Sequence, residues 1–459
     1  MIIMKFGGTS IAAPAAIRRV CQIIASQLDR QPIIVNSAMG KTTRNLLDIA
    51  HLSAAGETQE AKAKLSEIIE YHHELAENLI PDFQKSSAAQ RLSHYFSELE
   101  KLLLGMSVLQ DLTPRSLDKF LSYGELMSTA IIYQILSTNG ILAELADARE
   151  FIVTDNNFGS ARPVIDETYS RIRKRIQPSV QCGRVPVVQG YIAATRQGVT
   201  TTMGFEGSDL TASLLGAALK AEDIQIWKDV CGIMTADPQI ISTAYTIRQM
   251  SYEEAGELTM FGAKVLHPSS IEPALRQKVP VHVFNSRLPK AGGTEIVPHP
   301  VKSTNLIKSI AYKRKLGILS IRSNRNLRSY DFIKSVFDIL DRERLVPYVT
   351  TTTESHVSIV LQSPNNLDRL IEDIKPYGQV KFKNRKATVT IVGENLKSAE
   401  NLNNMIFGCI SNKIYMIGLG ASPINFTLVI DEKDVEQVIQ KLHQLFFKEI
   451  DEAVFTKNK

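Results

Sequence analysis

The apolar positions of this chain change period several times. Residues 2–6 (IIMKF) form a short apolar run that stops at Gly7-Gly8, and Thr9 or Ser10 is placed to cap a helix running to about Leu28. Pro32 to Gly40 (PIIVNSAMG) reads as a buried strand ending in a turn. This strand–turn–helix–strand order predicts a βαβ unit in an α/β sheet. Residues 57–104 carry few Gly or Pro and are helical in pattern throughout. Short Val/Ile-rich segments then return at 141–148, 185–195, 224–230 and 279–285, each followed by turn residues.

Residues 286–305 hold three prolines, a Gly-Gly pair and many polar side chains, and read as the edge of one domain plus a linker. Beyond them the rhythm is different. Strand 316–323, helix 329–343, two strands within 346–362 and helix 366–376 form one pass. Strand 386–393, helix 398–409, two strands within 414–430 and helix 432–447 form a second. The expectation is βαββαβ written twice, an arrangement suited to sensing a ligand or to dimerisation rather than to chemistry. The domain reading is therefore 1–305 followed by 306–459, the latter divided into about 310–385 and 386–459.

Composition narrows the function. The chain has 459 residues, 44% hydrophobic and 22% charged, with a formal net charge of +5, as in a globular protein of more than one domain. That charge calls for no nucleic-acid partner. The densest basic cluster (Arg171, Arg173, Lys174, Arg175) alternates with Ile172 and Ile176 as on a solvated helix face. The four cysteines (Cys21, Cys182, Cys231, Cys409) are isolated, which fits a reducing cytosol and neither a zinc ribbon nor a redox pair. No leader pattern and no membrane-length apolar run is present, so a cytoplasmic location without a membrane partner is expected.

Several stretches could carry chemistry. In MKFGGTS (4–10) a strand delivers Lys5, and Gly7-Gly8 permit close backbone approach ahead of helical N–H groups. That is an anion site, or else a plain tight turn. SAMGKTT (37–43) contains Gly-Lys-Thr, but Val35 stands where a P-loop needs glycine. Thr42 and Thr43 remain candidates for a small polar substrate at a strand end. In LSYGELMST (121–129), Glu125 follows a turn-type glycine, and a solvated glutamate at a helix start is the simpler reading. Residues 203–213 (MGFEGSDLTAS) supply Ser208 and Asp209 at a helix start, and 225–237 end a strand in Lys228-Asp229. MFGAKVLHP (260–268) offers Lys264, while His267 suits a cap better than catalysis. The nine histidines show no metal-ligand spacing. Lysines, a Gly-Gly turn and strand-end acids together suit phosphoryl transfer.

KFGGTS, SYGELMS, GSDLTAS, KDVCGIMTADP and FGAKVLHP, in this order, closely resemble aspartate kinases of the amino-acid-kinase fold. Residues 151–163 (FIVTDNNFGSARP) add to the likeness, and the C-terminal repeats look like the tandem ACT domains of that family. The resemblance implies an α/β amino-acid-kinase sandwich with a mainly parallel sheet, followed by two ferredoxin-like βαββαβ ACT units. It also implies the reaction of ATP with L-aspartate to give 4-phospho-L-aspartate and ADP, the first step toward lysine, threonine and methionine.

By motif match, Lys5 would lie against the phosphates and the attacking carboxylate, Asp209 would orient Lys5, and Lys264 would neutralise the γ-phosphate. Phe6, Gly7, Gly8 and Thr9 would line the ATP site, with Gly7, Gly8 and Thr9 as backbone donors. Lys228 and Asp229 would contact the nucleoside, beside Met234 and Gln239. Ser37, Thr43, Glu125 and Ser208 would hold the substrate, Glu125 taking its ammonium. Mg²⁺ would come held mainly by the nucleotide, with no protein metal cage. Tyr330, Thr353, Ser355, Val357 and Ser358 would lie at a feedback site for lysine or threonine, in a homodimer or tetramer.

The chain departs from the family pattern in one turn. Phe205 stands where the family usually carries an arginine for a substrate carboxylate, and Glu206 where Gly or Asn is common. Loss of that pair would weaken aspartate binding by about 2–4 kcal/mol if the partner stays buried. Arg162 is a substitute candidate. Met234 replaces an aromatic and Gln239 an arginine. A kinase for another acidic amino acid, or a silent ACT-type sensor subunit, are the alternatives.

Overall fold

The computed structural model describes every residue except 263–265, 325–328, 365, 395, 397–398, 420–421 and 458–459. The chain forms two compact units. The first comprises Met1–Ile233, Gln249–Tyr252 and Leu266–Pro300; the second comprises Met234–Arg248, Glu253–Val265 and Val301–Lys459. No described helix is long and apolar enough to cross a membrane.

An eight-stranded sheet organises the first unit, in the order Gln249–Ser251, Gly293–Val297, Val281–Asn285, Asp223–Lys228, Ile2–Phe6, Pro32–Asn36, Val185–Gln189, Ala143–Ala146. Only the pairing of Val281–Asn285 with Gly293–Val297 is antiparallel; the other pairs are parallel. Strands Ile2–Phe6, Pro32–Asn36 and Val185–Gln189 are buried at every position, because helices cover both faces of a parallel sheet. That is why they read as continuous apolar runs instead of alternating ones. The register puts Phe6 beside both Asn36 and Trp227 and places Asn285 beside Lys228, so the carboxyl ends of four strands come together.

Local expectations needed correction. No α-helix starts at Thr9: Gly8–Ile11 is a 3₁₀ turn, and the α-helix is Pro14–Ala25, begun by proline after the extended Ala13. Residues 185–195 break into Val185–Gln189 and Ile192–Thr195 at Gly190-Tyr191. The 286–305 stretch is not all linker, since Gly293–Val297 joins the main sheet. The basic cluster lies on helix Ile165–Gln181, with Ile172 and Ile176 buried, and Arg175 pairs with Glu144 and Glu150.

The second unit is built on a six-stranded antiparallel sheet, ordered Pro347–Thr352, His356–Gln362, Ile307–Ser323, Gly378–Gly393, Asn425–Asp431, Ile414–Leu419. Its two central strands run 17 and 16 residues, and their ladder shifts register between Lys313 and Ile318. Each therefore serves two four-stranded halves. Helices Ser329–Arg342 and Leu367–Ile374 cover the first half through Phe332, Val336, Leu340, Leu370 and Ile374.

The repeat is thus interleaved rather than strictly tandem. The strand after the last helix, Phe455–Thr456, pairs with Thr246–Ile247 in a separate small sheet. The fourth strand of the second half comes from 307–313, pairing with 388–393. Lys308 is wholly buried between Glu254 (2.9 Å) and Glu394 (2.9 Å).

Candidate active site

The first unit gathers a line of alternating charges at the carboxyl ends of its strands. Lys5 comes from the central strand. Asp209 comes from the first turn of helix Gly207–Leu219, where the helix dipole favours a carboxylate. Lys5 Nζ lies 2.5 Å from Asp209 Oδ1, and Lys228 Nζ lies 3.0 Å from Asp209 Oδ2. Beyond Lys228, Glu206 Oε1 stands 3.6 Å away, and the other Glu206 oxygen accepts the backbone N–H of His267. The Asp209 side chain is 1% exposed. Burial pushes its carboxyl up, but Lys5 and Lys228 together outweigh that and hold it below its ordinary value. For Lys228, burial works against the charge, but Asp209 and Glu206 raise its pKa overall.

At the other end stands Glu125. It is not at a helix start. Gly124 lies in the middle of helix Pro114–Thr138, which is buried at every residue from Phe120 to Ile132. Gly124 is there for packing, since a Cβ would come within 3.0 Å of Ala38 Cβ. This brings Glu125 under the 37–40 loop, where its Oε1 accepts the N–H of Ala38 (3.2 Å) and its Oε2 has no hydrogen-bond partner among the described residues. Burial drives its pKa to about 8, with hydrogen bonds and the charge of Lys5 pulling the other way. A carboxyl so placed, with one bare oxygen, has the chemistry to pair with a cationic donor once ionised.

The glycine turn lies beside these groups. The N–H of Gly7 is spent on Trp227 O (3.0 Å), so Gly7 offers no donor to a ligand. No described residue accepts the N–H of Gly8 or Thr9. A Cβ on Gly8 would lie 2.6 Å from Ala38 O and 3.0 Å from Gly40 O, so only glycine lets the two loops approach. Phe6 turns its ring into the core against Trp227 (6.1 Å), which leaves only its backbone near the site. Ser37 accepts Ser128 Oγ through its carbonyl (2.8 Å). Thr42 is buried and bonded to Met39 O, while Thr43 is half-buried at the same helix start. Ser208 is packed under Gly190.

Phe205 is 83% exposed, its ring edge-on to His267. Arg162 is exposed. Asp229 is exposed, 3.9 Å from Arg287. Met234 and Gln239 belong to the second unit; Ser309 Oγ donates to Met234 O, and Gln239 is exposed. Lys264 lies outside the described residues. In the second unit Tyr330 is exposed, Thr353 and Ser355 bond to His356, and Ser358 Oγ meets Ser320 Oγ. Val357 sits in the core with its backbone paired on both sides, so its side chain is closed to an effector.

One residue was missed. Asp118 is 1% exposed and accepts the N–H groups of Gly159 and Thr202 and the hydroxyl of Thr202. It pins the 155–163 loop to the strand leading into the 203–209 turn. In the sequence it is one more acid near a helix start, with no signal of its three distant donors. No group of three or more His, Cys, Asp or Glu among the described residues could hold a metal ion.

Known proteins resemble this chain over nearly its whole length. The model of the amino acid kinase family matches residues 1–285, and that of the ACT domain matches residues 389–446. Aspartokinase 1, chloroplastic, of Arabidopsis thaliana is 34% identical, over 97% of this chain and 80% of its own length. Lysine-sensitive aspartokinase 3 of Escherichia coli is 33% identical, over 98% and 99%. The crystal structure of E. coli aspartokinase III with aspartate and ADP (R-state) matches with a TM-score of 0.87 at 32% identity, covering 97% of this chain and 100% of that one. The same enzyme with lysine and aspartate (T-state) gives 0.82 at 32% identity, covering 97% and 99%. The chain belongs to the amino acid kinase family, and within it to the aspartokinases.

Proposed function

We propose that this aspartokinase transfers the γ-phosphoryl group of ATP to the β-carboxylate of L-aspartate, giving 4-phospho-L-aspartate and ADP. The observation that supports this most directly is the line Glu125–Lys5–Asp209, a site for an ammonium next to a cation held by a buried carboxylate. Glu125 takes the aspartate ammonium. Lys5 offsets the charge that builds up between the attacking carboxylate and the phosphate, and Asp209 holds Lys5 in place. No base is needed, because the acceptor carboxylate is ionised at neutral pH. Gly8 and Thr9 offer backbone donors to the phosphates, and Ser37, Thr43 and Ser208 border the acceptor. Mg²⁺ would arrive with the nucleotide and would neutralise phosphate charge. By resemblance to the family motif, Lys264 is the second cation, on the γ-phosphate.

Feedback by lysine is proposed for the second unit, on the strength of the lysine-sensitive relative and its lysine complex. Tyr330, Thr353, Ser355 and Ser358 are the side chains put forward for it. Homodimerisation and a cytoplasmic location complete the reading.

The test is ADP release by the purified protein with Mg-ATP and a panel of amino acids, with aspartate titrated to high concentration and lysine added last. Turnover with aspartate, inhibited by lysine, is expected. No turnover with any acid sinks the proposal. Turnover with a different acid only would establish a second reading, which the solvent-facing Phe205 in place of a cation favours.

A further inference from the structure

The turn 203–209 carries no cation, yet a cation reaches it from the neighbouring strand. Lys228 closes strand Asp223–Lys228 directly after Trp227, whose carbonyl accepts both the N–H of Gly7 (3.0 Å) and Ser10 Oγ (3.3 Å). The lysine therefore stands beside the glycine turn. It takes the Asp209 oxygen opposite the one that holds Lys5. The ion pairs run Lys5, Asp209, Lys228, Glu206, and Lys5 is the charge that acts on Glu125. With the acceptor ammonium on Glu125, Lys228 is a cation that the acceptor does not use.

Glu206 is costly where it sits. Its φ is +56°, a left-handed conformation that disfavours a side chain. Its carboxylate is nonetheless fixed at both oxygens, on Lys228 and on the His267 N–H. The four groups Lys5, Lys228, Asp209 and Glu206 neutralise one another, so a polyanion can gain Lys228 only by taking it from a carboxylate. Asp209 is 1% exposed and shared with Lys5, which leaves Glu206 as the carboxylate that yields.

We propose that Lys228 binds the phosphates of the nucleotide, not its nucleoside, and that Glu206 is a built-in competitor that occupies the ammonium until a phosphate displaces it. This rests on the kinase reading above.

Calorimetric titration of the full chain with ADP and with adenosine tests it. Lys228→Met is expected to weaken ADP by about 10–100-fold, the worth of one charge-assisted contact, and to leave adenosine within about twofold. Lys228→Arg keeps ADP within a few-fold of the parent. Glu206→Gln removes the competitor and tightens ADP by several-fold, with no effect in a Lys228→Met background. Equal weakening of ADP and adenosine by Lys228→Met, or no change in either, overturns the assignment. Weakening of ADP by Glu206→Gln overturns the competitor role. If Lys228→Met does not fold, Lys228→Gln is read the same way. Failure of the unsubstituted protein to bind ADP would instead count against the kinase reading itself.

Discussion

Glu125 shows how environment remakes a residue. Its folded pKa of about 8 lies above the ordinary 4.5, so the folded chain holds a proton there that the unfolded chain has released between those values. This carboxyl's contribution to stability therefore falls as pH rises from about 4.5 to about 8 and is level above. Ammonium binding needs the ionised form, so acceptor affinity runs the opposite way. The KM for aspartate is expected to fall as pH rises from 6 toward 8.5 and to level off beyond the pKa. Glu125→Gln should raise that KM about 10–100-fold, from a lost charge-assisted bond, and flatten its pH dependence. Steady-state kinetics across pH check both; a pH dependence that survives the substitution would place the titrating group elsewhere.

At the scale of elements, the site depends on two loops held close together. The 3₁₀ turn Gly8–Ile11 and the 37–40 loop exchange a backbone bond, Gly40 N–H to Gly8 O (3.0 Å). A methyl group on Gly8 would strike backbone oxygens that cannot rotate away. Gly8→Ala is expected to destabilise by about 1–3 kcal/mol through overpacking. It should also lower kcat/KM by about 100-fold, since displacements near 1 Å have that effect on positioned groups. A thermal melt alongside initial rates separates the two effects. Asp118 acts at this scale too, its carboxylate tying a loop to a strand far away in the chain. The glycine motif was legible as a turn, but the loop facing it was not, because that contact joins residues some thirty positions apart.

In the whole molecule, the second unit contains a buried charge that its neighbours must answer. Lys308 and Glu254 are 0% and 2% exposed. Lys308→Met should cost that unit about 3–5 kcal/mol, the range for breaking a buried ion pair by removing one member. Urea unfolding followed by a probe in the second unit measures this, and a cost below about 1 kcal/mol would mean that Glu254 is satisfied without Lys308. Gly262 adds a second constraint within the unit: at φ +117°, a Cβ would lie 1.9 Å from Tyr312 O. Neither contact is visible in sequence, where 253–265 looks like a continuation of the first domain.

The chain by itself determined most of the elements and their kind. Continuous Val/Ile runs marked the parallel strands, the long Gly-poor stretch marked helices, and the βαββα rhythm after 305 marked the repeats. It also marked Lys5, Glu125, Asp209 and Lys228 as candidates, because short motifs carry residue type and order. Tertiary structure decided what those candidates do. Burial under the 37–40 loop turned Glu125 from a surface helix-start acid into a carboxyl with a raised pKa. Strand adjacency, set by the parallel register of 2–6 against 223–228, brought Lys228 to Asp209 and Glu206. The turn MGFEGSDLTAS reads alone as a phosphate turn without a cation. Its cation comes from another strand, and Glu206 is already bound to it.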